Sequence, residues 1–288
     1  MKPQSKQAAA KSKLRARKAL SQNFLVDQIL ASRIADALPI KSGDAVYEIG
    51  AGKGFITEQL VLRGAEVWAI EKDRRLIGML RKKYPSPSPV KIFHADILDL
   101  PPQAMPPEGS WLVGNLPFGI GTPILKWMFD HRQLFRAGVV TLQREVVARL
   151  LAEPGDSQRS SLSVWFQARG SGQRLFDIPP KAFIPPPRVT STVMKIDFTP
   201  ATPGVEGVPG LEYIVQCAFA QKRKVLANNL RAIPHLTSDD WARLQDECGD
   251  LMRKRAEALH AHEFVRLTKA LHLADRLPGG AAEPDPVE

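Results

Sequence analysis

Short apolar segments alternate with amphipathic segments between residues 44 and 143, and this alternation restricts the fold more than any other feature of the sequence. Apolar residues recur at helical spacing in "FITEQLVLRG", "RRLIGMLRKKY" and "PILKWMFDHR". The apolar runs between them are "DAVYEIG", "EVWAIEKD", "VKIFHADIL", "SWLVGNLP" and "AGVVTLQ". Apolar strands separated by helices are typical of a parallel sheet covered on both faces. The sequence therefore predicts an α/β, Rossmann-like fold.

The chain divides into four segments. Residues 1–20 predict a disordered basic arm, and residues 21–200 a sheet domain that opens with a helix in "QILASRIADALPI". The Pro/Gly-rich "FTPATPGVEGVPG" marks a linker before a helical domain over 201–275. That domain contains "LEYIVQCAFAQKRKVLANNLRAI", "SDDWARLQDECGD" with Ser238 as its N-cap, and "AHEFVRLTKALHLADRL". Residues 276–288 predict a disordered acidic tail.

The charge of the chain favours a polyanionic partner. The formal net charge is +10, and the cations cluster in "KSKLRARK" near the start and in "QKRK" at Gln221–Lys224. Nucleic acid and an anionic membrane surface are both partners of this kind, while the alternative is that the charge only keeps the protein in solution. A transit peptide is a weaker interpretation of the first 20 residues than a basic arm.

Several classes of protein are excluded by composition. No apolar run approaches the roughly 18 residues that cross a bilayer. The only cysteines are Cys217 and Cys248, and the histidines are scattered, so we expect a reducing compartment, no disulfide framework and no zinc site.

Three polar features follow three successive predicted strands. Gly50, Gly52 and Gly54 lie in "YEIGAGKGF", and the acid Glu48 stands two places before the first of these glycines. Glu71 comes about 20 residues further on, where a carboxylate can accept both hydroxyls of a ribose. Asp96 follows the next strand and could accept a hydrogen bond from an adenine amino group. Each acid alone is typical of a solvated strand end, but the ordered set predicts a nucleoside pocket at the carboxyl edge of the sheet.

The segment "NLPF" follows the fourth strand, beside that pocket. The Asn115 amide oxygen and a nearby backbone carbonyl could accept both N–H groups of an adenine amine, which would turn its lone pair outward. Pro117 stiffens the turn, and Phe118 offers a ring on which a base can stack, at about 1–3 kcal/mol. The alternative is an ordinary exit from a strand into a turn.

These motifs together resemble one family, the ribosomal RNA adenine N6,N6-dimethyltransferases of the KsgA type. The resemblance extends to "SQNFLVD", "HADILDL", "LQREVVARLLAEPGDSQRSSLSV", "PPKAFIPPPRVTSTV", "FAQKRKVLANNL" and "RAEALHAHEFVRL". It implies a class I methyltransferase sheet of seven mostly parallel strands, a small C-terminal helical domain and S-adenosyl-L-methionine as cofactor. The implied substrate is two adjacent adenosines in the 3′-terminal hairpin loop of 16S rRNA, methylated in the small ribosomal subunit or its precursor during ribosome biogenesis. The implied protein is a cytoplasmic monomer with no metal and no membrane contact.

The resemblance also assigns roles to residues. It implies that the catalytic motif comprises Asn115, Leu116, Pro117 and Phe118. It implies that the cofactor is bound by Asn23, Leu25, Gly50, Gly52, Glu71, Lys72, Asp96, Ile97 and Asn115. RNA contacts are expected from Lys222, Arg223 and Lys224, which we place on a helix. Phe183 could be a second stacking face or, equally, a plug in the core.

The chain departs from the usual family pattern at a few positions. Ser21 stands where the family commonly has glycine. Phe118 stands where the family commonly has tyrosine, and it still supplies an aromatic ring. Arg159, Ser160 and Ser161 stand where Tyr-Gly-Arg is frequent. The "QKRK" segment stands where the family usually has a doubled arginine. A lysine in place of one arginine keeps the positive charge but replaces a planar guanidinium, with its paired N–H donors, by an ammonium group.

Three other functions remain alternatives. An Erm-type methylase of large-subunit rRNA would share the first domain, and the second domain argues against it. A nucleic-acid-binding factor without turnover would not need Glu71, Asp96, Asn115 and Phe118 together. An NAD-linked oxidoreductase is third, because the glycine spacing is G-x-G-x-G and not G-x-G-x-x-G.

Overall fold

A computed structural model describes residues 23–199, 204–205, 208–234 and 236–271 of the chain. The arm expected over 1–20 and the tail expected over 276–288 lie outside these ranges, as does part of the linker. The boundaries expected at 200 and 275 also fall on residues outside them.

The described residues form nine strands and ten α-helices. The strands are β1 (Phe24–Leu25), β2 (Ala45–Ile49), β3 (Glu66–Glu71), β4 (Val90–His94), β5 (Ser110–Asn115), β6 (Phe135–Gln143), β7 (Ser171–Ile178), β8 (Phe183–Ile184) and β9 (Ser191–Asp197). The helices are α1 (Gln28–Asp36), α2 (Phe55–Leu62), α3 (Arg74–Lys83), α4 (Gly121–Asp130), α5 (Arg144–Leu150), α6 (Ser161–Gln167), α7 (Leu211–Phe219), α8 (Leu226–Leu230), α9 (Ser238–Met252) and α10 (Ala261–Ala270). None of these described helices has the length and apolar character needed to cross a membrane.

The central sheet has seven strands in the order β4-β3-β2-β5-β6-β9-β7. The pairs from β4 to β6 are parallel, and β9 runs antiparallel to both of its neighbours. Buried side chains of α1 and α2 cover one face, and those of α4 and α5 cover the other. The predicted α/β sheet with helices on both faces is confirmed.

The parallel register brings the ends of four strands to one edge. Ile49 at the end of β2 pairs with Ile70 of β3, and Glu71 pairs with His94 at the end of β4. Asn115 at the end of β5 pairs with Thr141. The chain order changes direction between β2 and β5, and this is where α/β sheets form a ligand crevice.

A second apolar core lies among the C-terminal helices. It contains buried side chains of α7–α10 together with Val164 of α6 and Ala168, the C-cap of that helix. The expected helical region after the linker is therefore present. Its core extends back into the sheet region through α6.

Two details of the helical region differ from the prediction. The expected helix over "QKRK" is wrong: α7 ends at Phe219, and residues 221–224 form a turn before α8. The buried Asn229 amide donates to the carbonyls of Ala218 (2.6 Å) and Gln221 (3.2 Å), so these acceptors are satisfied without a continuing helix. Ser238 is not the cap of α9, because Thr237 caps it and shares a capping box with Asp240.

A second, two-stranded sheet joins the start of the described chain to a distant segment. β1 pairs antiparallel with β8, so that Leu25 lies opposite Phe183. The Val26 N–H also donates to the Ala182 carbonyl at 3.0 Å. This pairing fixes the residues that precede α1 on the main domain.

We expect Gly114→Ala to destabilise the protein, because its Cβ would lie 2.8 Å from Leu116 Cδ2 and 3.3 Å from Ile49 Cβ. Overpacking of this kind costs about 1–3 kcal/mol of unfolding free energy, measurable by urea denaturation. Gly78→Ala is the matched control, since a Cβ on this exposed residue of α3 meets nothing within 4 Å. The control should be neutral or more stable, by up to about 1 kcal/mol. Equal loss in both variants would contradict this account.

Candidate active site

One cavity lies at the carboxyl edge of the sheet, with a volume of about 230 Å³. This volume is far larger than the roughly 30 Å³ share of one water molecule, so the cavity suits a larger ligand. Every residue expected to bind the cofactor or to form the catalytic motif lines it: Asn23, Leu25, Gly50, Gly52, Glu71, Lys72, Asp96, Ile97, Asn115, Leu116, Pro117 and Phe118. The structure therefore brings these predicted residues together, and their individual roles stay predictions.

The glycine turn forms the floor between β2 and α2. Gly50, Gly52 and Gly54 have φ values of 73°, 58° and 75°, a region that side-chain-bearing residues rarely adopt. The N–H groups of Gly50 and Ala51 donate to the Ile70 carbonyl at 2.9 and 3.2 Å. The turn thus folds back against β3, and its glycines expose backbone to the cavity.

Glu71 connects that turn to the end of β3. Its carboxylate accepts the Gly52 N–H at 2.9 Å with Oε2 and the Asp73 N–H at 2.7 Å with Oε1. The side chain is buried, and this burial raises the pKa of the carboxyl group, while the two backbone N–H groups oppose the shift. Each carboxylate oxygen keeps a lone pair beyond these bonds, so the side chain can still accept hydroxyl groups.

Glu48 is a residue of the site to which the sequence analysis gave no role. It lines the cavity with 2% of its surface exposed, and Thr57 Oγ1 donates to its Oε2 at 2.6 Å. Thr57 lies in the first turn of α2, whose N-cap, Gly54, has no side chain to cap the helix. Glu48 therefore stabilises the helix that follows the glycine turn. The only signal in the sequence was its place two residues before Gly50.

Asp96 lies just beyond β4, in a short turn. Its Oδ1 accepts the Leu98 N–H at 3.2 Å, and its Oδ2 forms an ion pair with Lys72. The expected partner, an adenine amino group, would therefore share this carboxylate with Lys72. Ile97 is buried next to it and supplies an apolar wall.

Asn115 is held by the backbone of Asn23. The Asn115 Nδ2 donates to the Asn23 carbonyl at 3.2 Å. Only the NH₂ end of an amide can donate to a carbonyl, so this contact fixes the orientation of the side chain and leaves Oδ1 as its acceptor end. Asn23 and Asn115, both expected to bind the cofactor, are therefore in direct contact.

The rest of the catalytic motif combines a buried residue with accessible ones. The Leu116 side chain is buried, while its N–H donates to the Thr141 carbonyl at 3.1 Å. Leu116 can therefore face a ligand only through its backbone. Pro117 and Phe118 are half-buried at the cavity wall, and the Pro117 carbonyl accepts the Ile120 N–H at 3.3 Å. The Phe118 ring is accessible enough to meet a base.

Phe183 is not a stacking face, which corrects one of the two interpretations left open. Its ring is only 2% exposed and lies in the core beneath the β1–β8 pair, with Ile178 and Val193 in the same cluster. A base could not reach a ring that is covered in this way. Phe183 therefore acts as a plug that supports the strand carrying Leu25.

The expected RNA-binding cations lie on the turn at 221–224. Lys222, Arg223 and Lys224 are all exposed. The Lys222 ammonium donates to the Ser157 carbonyl, whereas no acid of the described residues lies within 4 Å of Arg223 or Lys224. Because they lie on a turn, the three cations are not distributed around a helix as predicted.

The donor set of the cavity fits the implied cofactor, S-adenosylmethionine. A buried carboxylate and a second acid, Glu71 and Asp96, face an open glycine turn and the apolar side chains of Ile70 and Ile97. Carboxylates suit ribose hydroxyls and positive charge, and apolar walls suit a purine ring. No group of three potential metal ligands occurs among the described residues.

Comparison with known proteins relates the chain to one family. Residues 13–272 match the family described as "Ribosomal RNA adenine dimethylase". The chain is 38% identical over 266 residues to "Ribosomal RNA small subunit methyltransferase A" of Geobacter metallireducens, covering 90% of this chain and 96% of that one. It is 37% identical over 263 residues to the protein of the same name in Bordetella avium, covering 90% and 97%.

Solved structures show the same architecture. A dimethyladenosine transferase from Plasmodium falciparum superposes with a TM-score of 0.72 at 24% identity, over 85% of this chain and 95% of that one. The 23S rRNA methyltransferase ErmE superposes with a TM-score of 0.63 at 26% identity, over 86% and 99%. The fold is therefore that of class I methyltransferases.

We expect Glu48→Gln to change how stability depends on pH. Burial raises the pKa of Glu48 to about 8, from 4.5 for the unperturbed group. Between these values the native state holds more protons at Glu48 than the unfolded state does. Its contribution to the free energy of unfolding is therefore greatest below pH 4.5 and falls as the pH rises toward 8. The glutamine variant lacks this loss, so its stability relative to the parent should rise by up to about 1.4 kcal/mol per pH unit.

Urea denaturation between about pH 5 and pH 8 measures the difference. Glu58→Gln is the control, because Lys83 lowers the pKa of Glu58, and it should show no such rise. Parallel pH profiles for the parent and Glu48→Gln would refute the assignment.

Proposed function

The chain belongs to the ribosomal RNA adenine dimethylase family, and on this premise we propose that it methylates N6 of two adjacent adenosines in the 3′-terminal hairpin loop of 16S rRNA. Family membership makes it an S-adenosylmethionine-dependent rRNA adenine-N6,N6-dimethyltransferase. The convergence of Glu71, Asp96, Asn115 and Phe118 on one cavity is the observation that carries the proposal. The small-subunit name of relatives at 37–38% identity supports the choice of rRNA.

We propose that the cofactor lies along the glycine turn. Glu71 would accept its ribose hydroxyls with the lone pairs that Gly52 and Asp73 leave, and Asp96 would accept its adenine amine. When bound, S-adenosylmethionine supplies a methyl group already activated by its sulfonium. Leu25 and Ile97 would cover its apolar surfaces and keep water away from the reacting atoms.

The chemical task of the protein is to make a weak nucleophile reactive. The lone pair of an adenine amine is delocalised into the ring, so the nitrogen must become pyramidal before it attacks. Asn115 Oδ1 and the Leu116 carbonyl would accept its two N–H groups and hold that geometry. The Asn23 carbonyl orients the Asn115 amide, and Pro117 restricts the backbone after the Leu116 carbonyl. No strong base is required, since the amine loses its proton readily once it is methylated.

The target base must leave its stack to reach this cavity. Nucleobase-modifying enzymes extrude their target at a cost of a few kcal/mol. The half-buried Phe118 ring would recover part of that cost by stacking on the extruded adenine. Phe118 performs this role without a hydroxyl group, because stacking requires only the ring.

The RNA partner is proposed to contact the helical region over 201–275. Arg223 and Lys224 are exposed on the turn after α7, and the chain carries a net charge of +10. Two exposed cations on one turn can reach neighbouring phosphates. We further propose that the enzyme acts as a cytoplasmic monomer during assembly of the small subunit.

The resemblance to ErmE keeps a large-subunit substrate as the second candidate. Both candidates are tested by incubating the protein with labelled S-adenosylmethionine and separate small and large subunits that lack the modification. Primer extension should map label to two adjacent adenosines near the 3′ end of 16S rRNA. Label on 23S rRNA would replace the proposal with the second candidate, and binding without label would indicate a factor without turnover.

We expect Asn115→Ala to reduce single-turnover methylation far more than subunit binding, because its acceptor role is strongest in the transition state. Rapid-quench kinetics and filter binding measure the two quantities. Phe118→Ala should be similarly severe, whereas Phe118→Tyr keeps the ring and serves as the control that stays near the parent rate. If Phe118→Ala methylates at the parent rate, the ring is packing and not a platform.

We expect replacement of Arg223 and Lys224 by Gln to weaken binding to the subunit and to flatten its salt dependence. Each lost phosphate contact lowers the slope of log affinity against log salt by about 0.7–0.9. The double variant should therefore lose about one to two units of slope, while its affinity for S-adenosylmethionine stays constant. Replacement of Arg81 and Lys82 by Gln, two exposed cations on α3, is the control for net charge alone. An unchanged slope in the first variant would show that the turn touches no phosphate.

A further inference from the structure

Arg159 is the largest completely buried side chain among the described residues, with an exposure of 0%. Its guanidinium donates to the Leu259 carbonyl from Nε (3.2 Å) and from Nη2 (2.9 Å). Its Nη1 donates to the Ala152 carbonyl at 2.6 Å and to Gln167 Oε1 at 2.9 Å. We call Arg159 and these three acceptors the interdomain clasp.

The clasp differs from an ordinary buried ion pair. No carboxylate of the described residues lies within 4 Å of Arg159, so all of its acceptors are neutral oxygens. Burial lowers the pKa of the guanidinium, and the charges of Glu153 and Glu263 partly oppose this shift. A buried charge is costly to hold, and it persists only where hydrogen bonds satisfy it.

The acceptors come from both halves of the molecule. Ala152 and Gln167 belong to the segment around α5 and α6, whereas Leu259 lies between α9 and α10, 100 residues after Arg159. The loop that leads to Arg159 makes two more contacts across the same boundary. The Gly155 N–H donates to the Glu257 carbonyl at 2.8 Å, and Ser157 accepts a hydrogen bond from Lys222.

A second attachment is apolar. Val164 of α6 and Ala168, the C-cap of that helix, belong to the same core cluster as residues of α7 such as Ile214. Apolar contacts are not directional, so this attachment alone permits the helical region to pivot about α6. A planar guanidinium with four fixed donor–acceptor bonds is directional and opposes such a pivot.

We propose that Arg159 is a positioning residue that locks the C-terminal helices in one orientation relative to the methyl-transfer cavity. The same loop holds Lys222, so the lock also fixes the turn at 221–224. An RNA-binding surface that is already in position loses less conformational freedom when the subunit binds. This inference rests on the proposed RNA contact of that turn, and it concerns how the contact is placed.

The test compares Arg159→Gln with Arg149→Gln, the same change at an exposed residue of α5. We expect Arg159→Gln to raise the KM for unmodified small subunits by about tenfold while kcat and the Kd for S-adenosylmethionine stay within about twofold. Hydrogen exchange should accelerate at the Gly155 amide, which bridges to Glu257, and not in the sheet. The control should match the parent in every measurement.

Gln167→Met is a second variant that tests the proposal if Arg159→Gln fails to fold. It removes one of the acceptors and keeps Arg159, so a smaller rise in KM with the same exchange pattern is expected. Faster hydrogen exchange at Gly155 with an unchanged KM would overturn the proposal. Exchange that is accelerated to the same extent throughout the sheet would also overturn it. The salt titration of the Arg223 and Lys224 variant is separate: its failure would remove the RNA contact of the turn without altering the exchange result.

Discussion

The active site depends on the carboxylate of Glu71, which connects two strand-to-helix turns. It accepts the Gly52 N–H of the turn after β2 and the Asp73 N–H of the turn after β3. Asp73 in turn caps α3 by accepting the Arg75 N–H. One buried side chain therefore fixes the glycine turn, the end of β3 and the start of α3. The same side chain lines the cavity in which we place the cofactor.

The sheet and the contents of the cavity were predictable because they follow from local patterns and one topological rule. Apolar strands that alternate with helices form a parallel sheet, and the ends of parallel strands meet at one edge. Residues as distant as Gly50, Glu71, Asp96 and Asn115 therefore had to converge, and they line one cavity. No pairing between distant side chains had to be known in advance for this step.

The features that could not be predicted depend on contacts between segments far apart in the chain. Phe183 is buried because β8 pairs with β1, about 160 residues earlier in the chain. The local sequence around Phe183 is equally compatible with an exposed ring. The turn at 221–224 exists because Asn229 binds carbonyls that a helix would otherwise use. The burial of Arg159 had no signal in the sequence, because one of its acceptors is the Leu259 carbonyl, 100 residues later.

The pairing of β1 with β8 has a consequence for the order in which the molecule matures during synthesis. Asn23 and Leu25 line the cavity, and within the described part of the chain the strand that carries Leu25 pairs with residues 183–184 alone. A chain emerging from the ribosome can build β2 and β3, with Glu71 and the glycine turn, long before it has made that partner. Contacts of such large sequence separation form slowly because a long loop must close first. The wall of the cavity that includes Leu25 is thus completed only after residue 184 has been synthesised. Nascent chains shorter than this lack the strand that pairs with β1, which delays the wall of the cavity that includes Leu25 until β8 has been translated.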